Sequence, residues 1–174
     1  MGAITPIGNN VADFWEGIKA GACGIGPITH FDTAEFKVHV AAEVKDYDFS
    51  ACIDKREQRR MDRFCQLGMV AATEAWQDSG LSPENIGEQE LAVITGSGIG
   101  GLKTIEDEVA KLNERGPSRV SALMIPMIIG NILSGNIAIK YKAKGECHCI
   151  VTACASGTHA IGEGYRLIQE GRAK

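Results

Sequence analysis

The stretch from residue 147 to residue 171 constrains the fold most, because a strand-like run leads through a tight turn of small residues into a helical pattern. Residues 147–153 contain neither Pro nor Gly, and apolar side chains alternate along them, which predicts a strand buried on both faces. Apolar and small residues then recur at helical spacing until Gly171 supplies a stop signal; they are Ala160, Ile161, Gly164, Leu167 and Ile168. Cys154 therefore lies at a strand-to-helix turn.

A thiol at this position has the properties of a nucleophile. The helix dipole and unpaired N–H groups at a helix N-terminus favour a thiolate, so we expect a lowered pKa for Cys154. Its own amide could face an oxyanion, and its small neighbours leave room for a carbonyl group to approach the sulfur. This arrangement suits acyl transfer. The alternative is a buried structural cysteine, which composition alone favours by about two to one.

Composition excludes several classes of function. The chain has 174 residues, of which 44% are hydrophobic and 23% charged, which indicates one soluble domain or a large part of one. No apolar run approaches the length of a membrane span and no secretion signal precedes the first helix, so we expect a cytoplasmic protein without a membrane partner. A net charge of −4 argues against a general nucleic-acid binder.

The six cysteines predict reduced thiols rather than disulfides. Cys147, His148, Cys149 and Cys154 could be taken for a metal cluster, but strand alternation sends His148 to the face opposite its two neighbours. The C-x-C spacing is also unlike the usual C-x2-C knuckle. We therefore expect no metal site and interpret these residues as packing residues.

The other segments are mostly helical. A helix is predicted over Val11–Ala20, capped by Asn10, with a buried stripe that includes Trp15 and Ile18. Residues 36–44 alternate as a strand with one face buried, on which His39 points to solvent. Further predictions are a long helix over 55–79 ended by Gly80, a strand over 91–95, a helix from about Lys103 and an apolar helix opened by Pro126.

Four arginines in the predicted helix 55–79 recur at i, i+3, i+4 and i+7, which places them on one exposed face. They are Arg56, Arg59, Arg60 and Arg63. On pattern alone, an ordinary solvated face is favoured over a binding surface by about three to one.

The segment 96–101 contains a G-x-G-x-x-G pattern between a predicted strand and a predicted helix, which is the dinucleotide fingerprint. The acidic residue expected about 20 positions later to bind a ribose is missing near Ser121. We interpret these glycines instead as positions where the backbone passes close to the helix that follows Cys154.

Five motifs in register resemble one family. They are residues 152–157 followed by His159, Ile161 and Gly162; residues 30–33; residues 55–62; residues 96–101; and residues 115–117. Together they resemble the β-ketoacyl-acyl carrier protein synthases, the elongating condensing enzymes of fatty acid synthesis, and type II more than type I. The likeness covers the whole chain.

The resemblance implies an α/β fold that is thiolase-like and layered, with mixed strands and helices on both sheet faces. It also implies that residues 1–174 are a single partial domain, the first of two similar halves, lacking the opening strand. The family's two histidines, lysine and gating phenylalanine match nothing in this chain. We therefore expect the isolated chain to associate or aggregate, and to catalyse no condensation.

The implied activity is a decarboxylative condensation. Cys154 takes an acyl group from a carrier-protein thioester, and a malonyl-derived carbanion then attacks the acyl-enzyme. No bound cofactor is implied, since the acyl groups are carried on the phosphopantetheine of acyl carrier protein. The matching positions are Cys154 as nucleophile; Ile99, Met124 and Ala153 for the acyl substrate; and Arg56, Arg59, Arg60 and Arg119 for the carrier protein. A homodimer is also implied, with Met124 closing the partner's acyl pocket, and a second chain or segment could supply the other half.

Two other interpretations remain open. A non-catalytic fragment that binds carrier protein or a partner chain would keep the arginines but would not use a reactive thiol. A cysteine hydrolase would need a histidine beside Cys154. His159 lies five residues along the same helix and so points about 140° away.

Overall fold

The computed structural model describes residues 1–174, which form seven helices and four short strands. The helices are α1 (Val11–Lys19), α2 (Lys55–Gln58), α3 (Arg63–Ser79), α4 (Leu102–Arg115), α5 (Met124–Ile128), α6 (Ile132–Tyr141) and α7 (Ser156–Gln169). The strands are β1 (Ile25–Pro27), β2 (Val40–Ala42), β3 (Val93–Gly96) and β4 (Cys147–Ile150). Two compact units divide the chain, one of residues 1–52 and 70–80, the other of residues 53–69 and 81–174. None of the helices combines the length and the apolar character that a membrane crossing requires.

The first unit contains α1 and an antiparallel pair of β1 and β2. The predicted helix is confirmed, and the Asn10 side chain caps it by accepting a hydrogen bond from the N–H of Asp13. The predicted buried stripe on this helix is wrong in part, because Trp15 and Ile18 are 58% and 46% exposed.

The predicted strand over 36–44 is also largely wrong, since only Val40–Ala42 pair with β1. Its burial is inverted: Val38 is exposed, whereas Glu43 is buried. The Glu43 carboxylate accepts hydrogen bonds from the N–H and the hydroxyl of Thr29, which satisfy the buried group and lower its pKa. His39 is exposed, as predicted.

The predicted helix over 55–79 is interrupted between α2 and α3. The break is stabilised by Asp62, a buried residue whose carboxylate accepts hydrogen bonds from the N–H of Phe64 and from both the N–H and the hydroxyl of Thr104. The side-chain amide of Gln66 donates to the carbonyl oxygens of Gln58, the last residue of α2, and of Met61 in the break. Gly80 follows the last helical residue at φ +67°, as its predicted role as a stop requires.

Because Asp62 is the partner of two buried donors, Asp62→Ala is expected to lower the free energy of unfolding by about 1–3 kcal/mol. Urea unfolding followed by circular dichroism measures this change. The control is Asp107→Ala, which removes an exposed carboxylate paired with Lys103 and should cost at most about 1 kcal/mol. Equal effects of the two substitutions would show that Asp62 does not stabilise the break.

The second unit is built on β3 and β4, which pair in parallel from Val93 opposite Cys147 to Gly96 opposite Ile150. Helices α6 and α7 both pack on this sheet, so the predicted α/β architecture is confirmed. The prediction that residues 147–153 are buried on both faces is wrong, because Cys147 is exposed and Val151 is 64% exposed. Val151 lies beyond the end of β4 at Ile150, so the predicted run extends past the sheet.

The apolar segment after residue 123 forms two helices rather than one. Pro126 lies third in α5 instead of opening the helix, and α6 begins at Ile132. A tertiary contact explains the break, because the carbonyl oxygen of Ile128 accepts a hydrogen bond from the N–H of Gly101 at 3.0 Å.

Candidate active site

The predicted strand–turn–helix unit is present, with Cys154 at its centre. After β4 ends at Ile150, residues 153–155 form one turn of 3-10 helix and α7 begins directly at Ser156. The Cys154 thiol is exposed, which contradicts the alternative of a buried structural cysteine. Its backbone N–H donates no hydrogen bond within the chain, so this donor is free to bind a ligand.

The turn contains a strained residue. Ala153 has φ +50°, in the left-handed region that costs a residue with a Cβ about 1–2 kcal/mol. Ser156 is only 3% exposed, and its Oγ accepts a hydrogen bond from the Thr152 N–H at 2.8 Å and donates one to the Ala153 carbonyl oxygen at 2.7 Å. Sequence analysis treated Ser156 only as a small neighbour of the thiol. A serine side chain often forms hydrogen bonds with nearby backbone groups at a turn, and this tendency could have identified the role.

The glycine-rich segment lies against this turn, as its interpretation predicted. A Cβ built on Gly96 would lie 2.3 Å from the Ser156 carbonyl oxygen, closer than non-bonded atoms approach. One built on Gly98 would lie 3.5 Å from the Ala153 carbonyl oxygen. The missing side chains therefore allow the end of β3 to run directly beside the start of α7.

The three residues expected to contact an acyl group lie in three segments. Ile99 follows Gly98 in the glycine-rich loop and is 67% exposed. Met124 is the first residue of α5 and is half-buried, while Ala153 is exposed directly before Cys154. Their roles in substrate binding stay predictions.

The predicted arginine surface has a different shape. Because α2 ends at Gln58, the four arginines do not form one continuous helical stripe, and that prediction is wrong. Arg56 lies in α2, Arg59 caps it and Arg60 lies in the following turn, all three exposed. Arg60 also lines an open groove with Met61, Leu123 and Pro126. Arg59 and Arg60 form no salt bridge within the chain, so both charges are available to a partner.

Arg119 lies on a separate 3-10 turn and is exposed. The buried residue Glu108 holds the following segment, because its carboxylate accepts a hydrogen bond from the Ser121 N–H at 2.7 Å. A salt bridge with Lys111 lowers the pKa of Glu108 and keeps it ionised. The burial of Glu108 was not predictable from the sequence, since a glutamate among the many charged residues of α4 gives no signal of burial.

No histidine supplies a base to Cys154. His30, His39 and His159 are exposed, and His148 is half-buried in β4. None of them hydrogen-bonds to the thiol, so the structure contains no Cys–His pair of the kind a cysteine hydrolase requires. No three side chains of His, Cys, Asp or Glu converge in an arrangement that could hold a metal ion.

Comparison with known proteins identifies relatives of this chain. It is 48% identical over 174 residues to a 3-oxoacyl-[acyl-carrier-protein] synthase 2 of Synechocystis, and 44% identical over 173 residues to a protein of that name from Staphylococcus aureus strain N315. These alignments include 100% and 99% of this chain, but only 42% of the length of each relative.

The fold also matches solved structures. The ishigamide ketosynthase/chain length factor superposes with a TM-score of 0.91 at 30% identity, covering 99% of this chain and 43% of the other. A second match, AntDE:AntF, is described as a type II PKS acyl-carrier protein in complex with its ketosynthase. Its TM-score is 0.82 at 23% identity, and the match covers 99% of this chain and 47% of the other. At this identity it shows the fold alone. These matches confirm the predicted thiolase-like fold. The family description "Beta-ketoacyl synthase, N-terminal domain" matches residues 1–174, so the chain belongs to the β-ketoacyl synthase family and corresponds to its N-terminal domain.

Proposed function

We propose that this chain supplies the acyl-accepting cysteine of a 3-oxoacyl-acyl carrier protein synthase. The observation that carries the proposal is the exposed Cys154 thiol at the start of α7, beside a backbone N–H that is free to bind an oxyanion. A helix N-terminus stabilises negative charge, which favours both the attacking thiolate and the oxyanion that its attack creates.

The first proposed half-reaction is acyl transfer to Cys154. The Cys154 sulfur attacks the carbonyl carbon of an acyl thioester, and the negative charge moves to the carbonyl oxygen. The tetrahedral intermediate collapses, the carbon–sulfur bond to the carrier breaks, and the thiol proton of Cys154 passes through solvent to the departing thiolate. The acyl group is then held on Cys154 as a new thioester.

The second half-reaction is a proposal from family membership. A malonyl thioester loses CO2, the resulting carbanion attacks the acyl carbon, and the Cys154 thiolate leaves. The product is a 3-oxoacyl thioester on the carrier protein. We propose that the donors for decarboxylation come from a second half of the enzyme, since none of the four histidines of this chain forms a hydrogen bond with Cys154.

The experiment uses what we call the completed protein, in which this chain is followed by the C-terminal part of the Synechocystis relative. Supplied with acyl and malonyl carrier-protein thioesters, it is expected to release CO2 and 3-oxoacyl product in equal amounts. The 174-residue chain alone is the control and is expected to form no product. Condensation by the chain alone would contradict this division of roles, and acyl hydrolysis without condensation would contradict the proposed function.

The arginines are the proposed docking surface for the acidic carrier protein. Arg56, Arg59, Arg60 and Arg119 are exposed, which leaves their guanidinium groups accessible to a partner. The relatives at 48% and 44% identity are named 3-oxoacyl-[acyl-carrier-protein] synthase 2, which supports such a partner for this chain.

The double substitution Arg59→Glu with Arg60→Glu is expected to weaken carrier binding by more than about tenfold, because it replaces two attractive charges with two repulsive ones. Isothermal titration with the completed protein measures the Kd, which should also rise with salt. The control is the double substitution Lys37→Glu with Lys45→Glu. It changes the net charge by the same amount as the arginine pair, but both lysines lie in the first unit. If the arginine and the lysine double substitutions raised the Kd equally, the proposed docking role would be contradicted, and the arginines would be an ordinary solvated face.

The remaining proposals concern the acyl-chain contacts, the homodimer, the cellular compartment and the source of the acyl groups. Ile99, Met124 and Ala153 contact the acyl chain, and the hydrophobic side chain of Met124 closes the pocket of a second subunit in a homodimer. The protein works in the cytoplasm and takes its acyl groups from the phosphopantetheine of acyl carrier protein, without another cofactor.

A further inference from the structure

The hydroxyl of Ser156 forms hydrogen bonds with the two residues directly before Cys154 in the chain. It accepts from the Thr152 N–H at 2.8 Å and donates to the Ala153 carbonyl oxygen at 2.7 Å. The same carbonyl oxygen also accepts a hydrogen bond from the Ser156 backbone N–H. Ser156 therefore holds the carbonyl that belongs to the peptide group between Ala153 and Cys154.

This peptide group is planar and trans, since the chain contains no cis peptide bond. In a trans peptide the C=O and the N–H point in opposite directions. Because the Ala153 carbonyl is turned toward Ser156, the Cys154 N–H is turned away from Ser156, and it donates to no group in the chain. The direction of this free donor is thus fixed by Ser156.

The peptide needs such a restraint. Ala153 is held at φ +50°, where a residue with a Cβ is strained, so relaxation of this residue would rotate the adjoining peptide plane. The restraint is itself rigid, because Ser156 is 3% exposed and its own carbonyl lies against Gly96 of β3.

We infer that Ser156 is a positioning residue that aims the Cys154 N–H at the oxyanion formed during acylation. The inference rests on the proposed function, since it requires that Cys154 attacks a thioester. Ser156 acts through the Ala153–Cys154 peptide and does not itself touch the substrate.

The test compares two reactions of the same thiol in the completed protein. Acylation by hexanoyl-N-acetylcysteamine creates an oxyanion, whereas alkylation by iodoacetamide displaces iodide at a saturated carbon and creates none. Ser156→Ala should slow acylation of Cys154 by about 10 to 100-fold, somewhat less than outright loss of an oxyanion donor. Alkylation of Cys154 should change less than about threefold, because neither the sulfur nor its exposure depends on the peptide plane.

Ser134→Ala is the matched control. Ser134 is buried in α6 and its hydroxyl donates to the carbonyl three residues earlier, as that of Ser156 does, but it has no link to the cysteine turn. It should leave the ratio of the two rates unchanged. Ser156→Thr keeps the hydroxyl, so its ratio of acylation rate to alkylation rate should equal that of the unsubstituted protein. This variant also tests the inference if Ser156→Ala fails to fold.

The outcomes separate this inference from the proposed function. Acylation and alkylation slowed equally by Ser156→Ala, or neither slowed, would overturn the positioning role while leaving Cys154 as the nucleophile. A folded Ser156→Thr protein with the ratio lost would overturn it as well. Absence of acylation in the unsubstituted protein would overturn the proposed function itself.

Discussion

Replacing Cys154 by alanine is expected to abolish acyl transfer by the completed protein, with a loss on the order of 10⁴ to 10⁶-fold, as when a nucleophile is removed from other acyl-transfer enzymes. The sulfur is the atom that forms the covalent bond, and no neighbouring side chain can replace it. Cys154 is exposed and its turn is built from small residues, so the free energy of unfolding should change by no more than about 0.5 kcal/mol. Rates of acyl-enzyme formation, with thermal unfolding as a check, measure both effects.

The matched control is Cys147→Ala, which removes another exposed thiol seven positions earlier in the chain. It should leave acyl transfer within about twofold of the unsubstituted protein, because β4 presents that thiol without a helix N-terminus. Equal losses in the two variants would contradict the assignment of Cys154.

Substituting Gly96 by alanine is expected to destabilise the protein strongly. The new Cβ would lie 2.3 Å from the Ser156 carbonyl oxygen and 2.8 Å from the Gly157 nitrogen, both backbone atoms of the first turn of α7. Backbone atoms cannot move aside as a flexible side chain can, so β3 and α7 must separate. Overpacking of this kind costs about 1–3 kcal/mol or more, which should lower the Tm of the completed protein by several degrees. Displacement of α7 should also slow the acylation of Cys154.

Gly162→Ala is the control for this prediction. A Cβ there would meet nothing within 4 Å in this chain, and the position lies inside α7, where alanine is the better helix former. Its Tm should therefore stay unchanged or rise. A Gly96→Ala protein as stable as the Gly162→Ala protein would show that the approach of β3 to α7 is not close enough to require glycine.

The sequence predicted the site better than its surroundings. The turn that presents Cys154 was predictable because its signals are local: a strand pattern, a run of small residues and a helix that ends near Gly171. The role of the glycine-rich segment was predictable for a similar reason, since several closely spaced glycines leave room for another backbone to approach.

The errors arose where long-range contacts decide the structure. A strong helical pattern over 55–79 gave no sign that Asp62 would bond to Thr104, 42 residues away, and so stabilise a break. Alternation over 36–44 predicted the wrong face, because the buried Glu43 is stabilised by Thr29 on another segment. Such partners are joined only by the tertiary fold, so no periodicity within either segment reveals them.

The most direct test of the central claim is to map the acyl group. The completed protein is treated with hexanoyl-N-acetylcysteamine, digested and analysed by mass spectrometry for each cysteine of residues 1–174. The account predicts a hexanoyl adduct on Cys154 alone; Cys65 should stay unmodified because burial removes it from solvent and raises the pKa of its thiol. An adduct on Cys147 or Cys149, with Cys154 unmodified, would contradict the account.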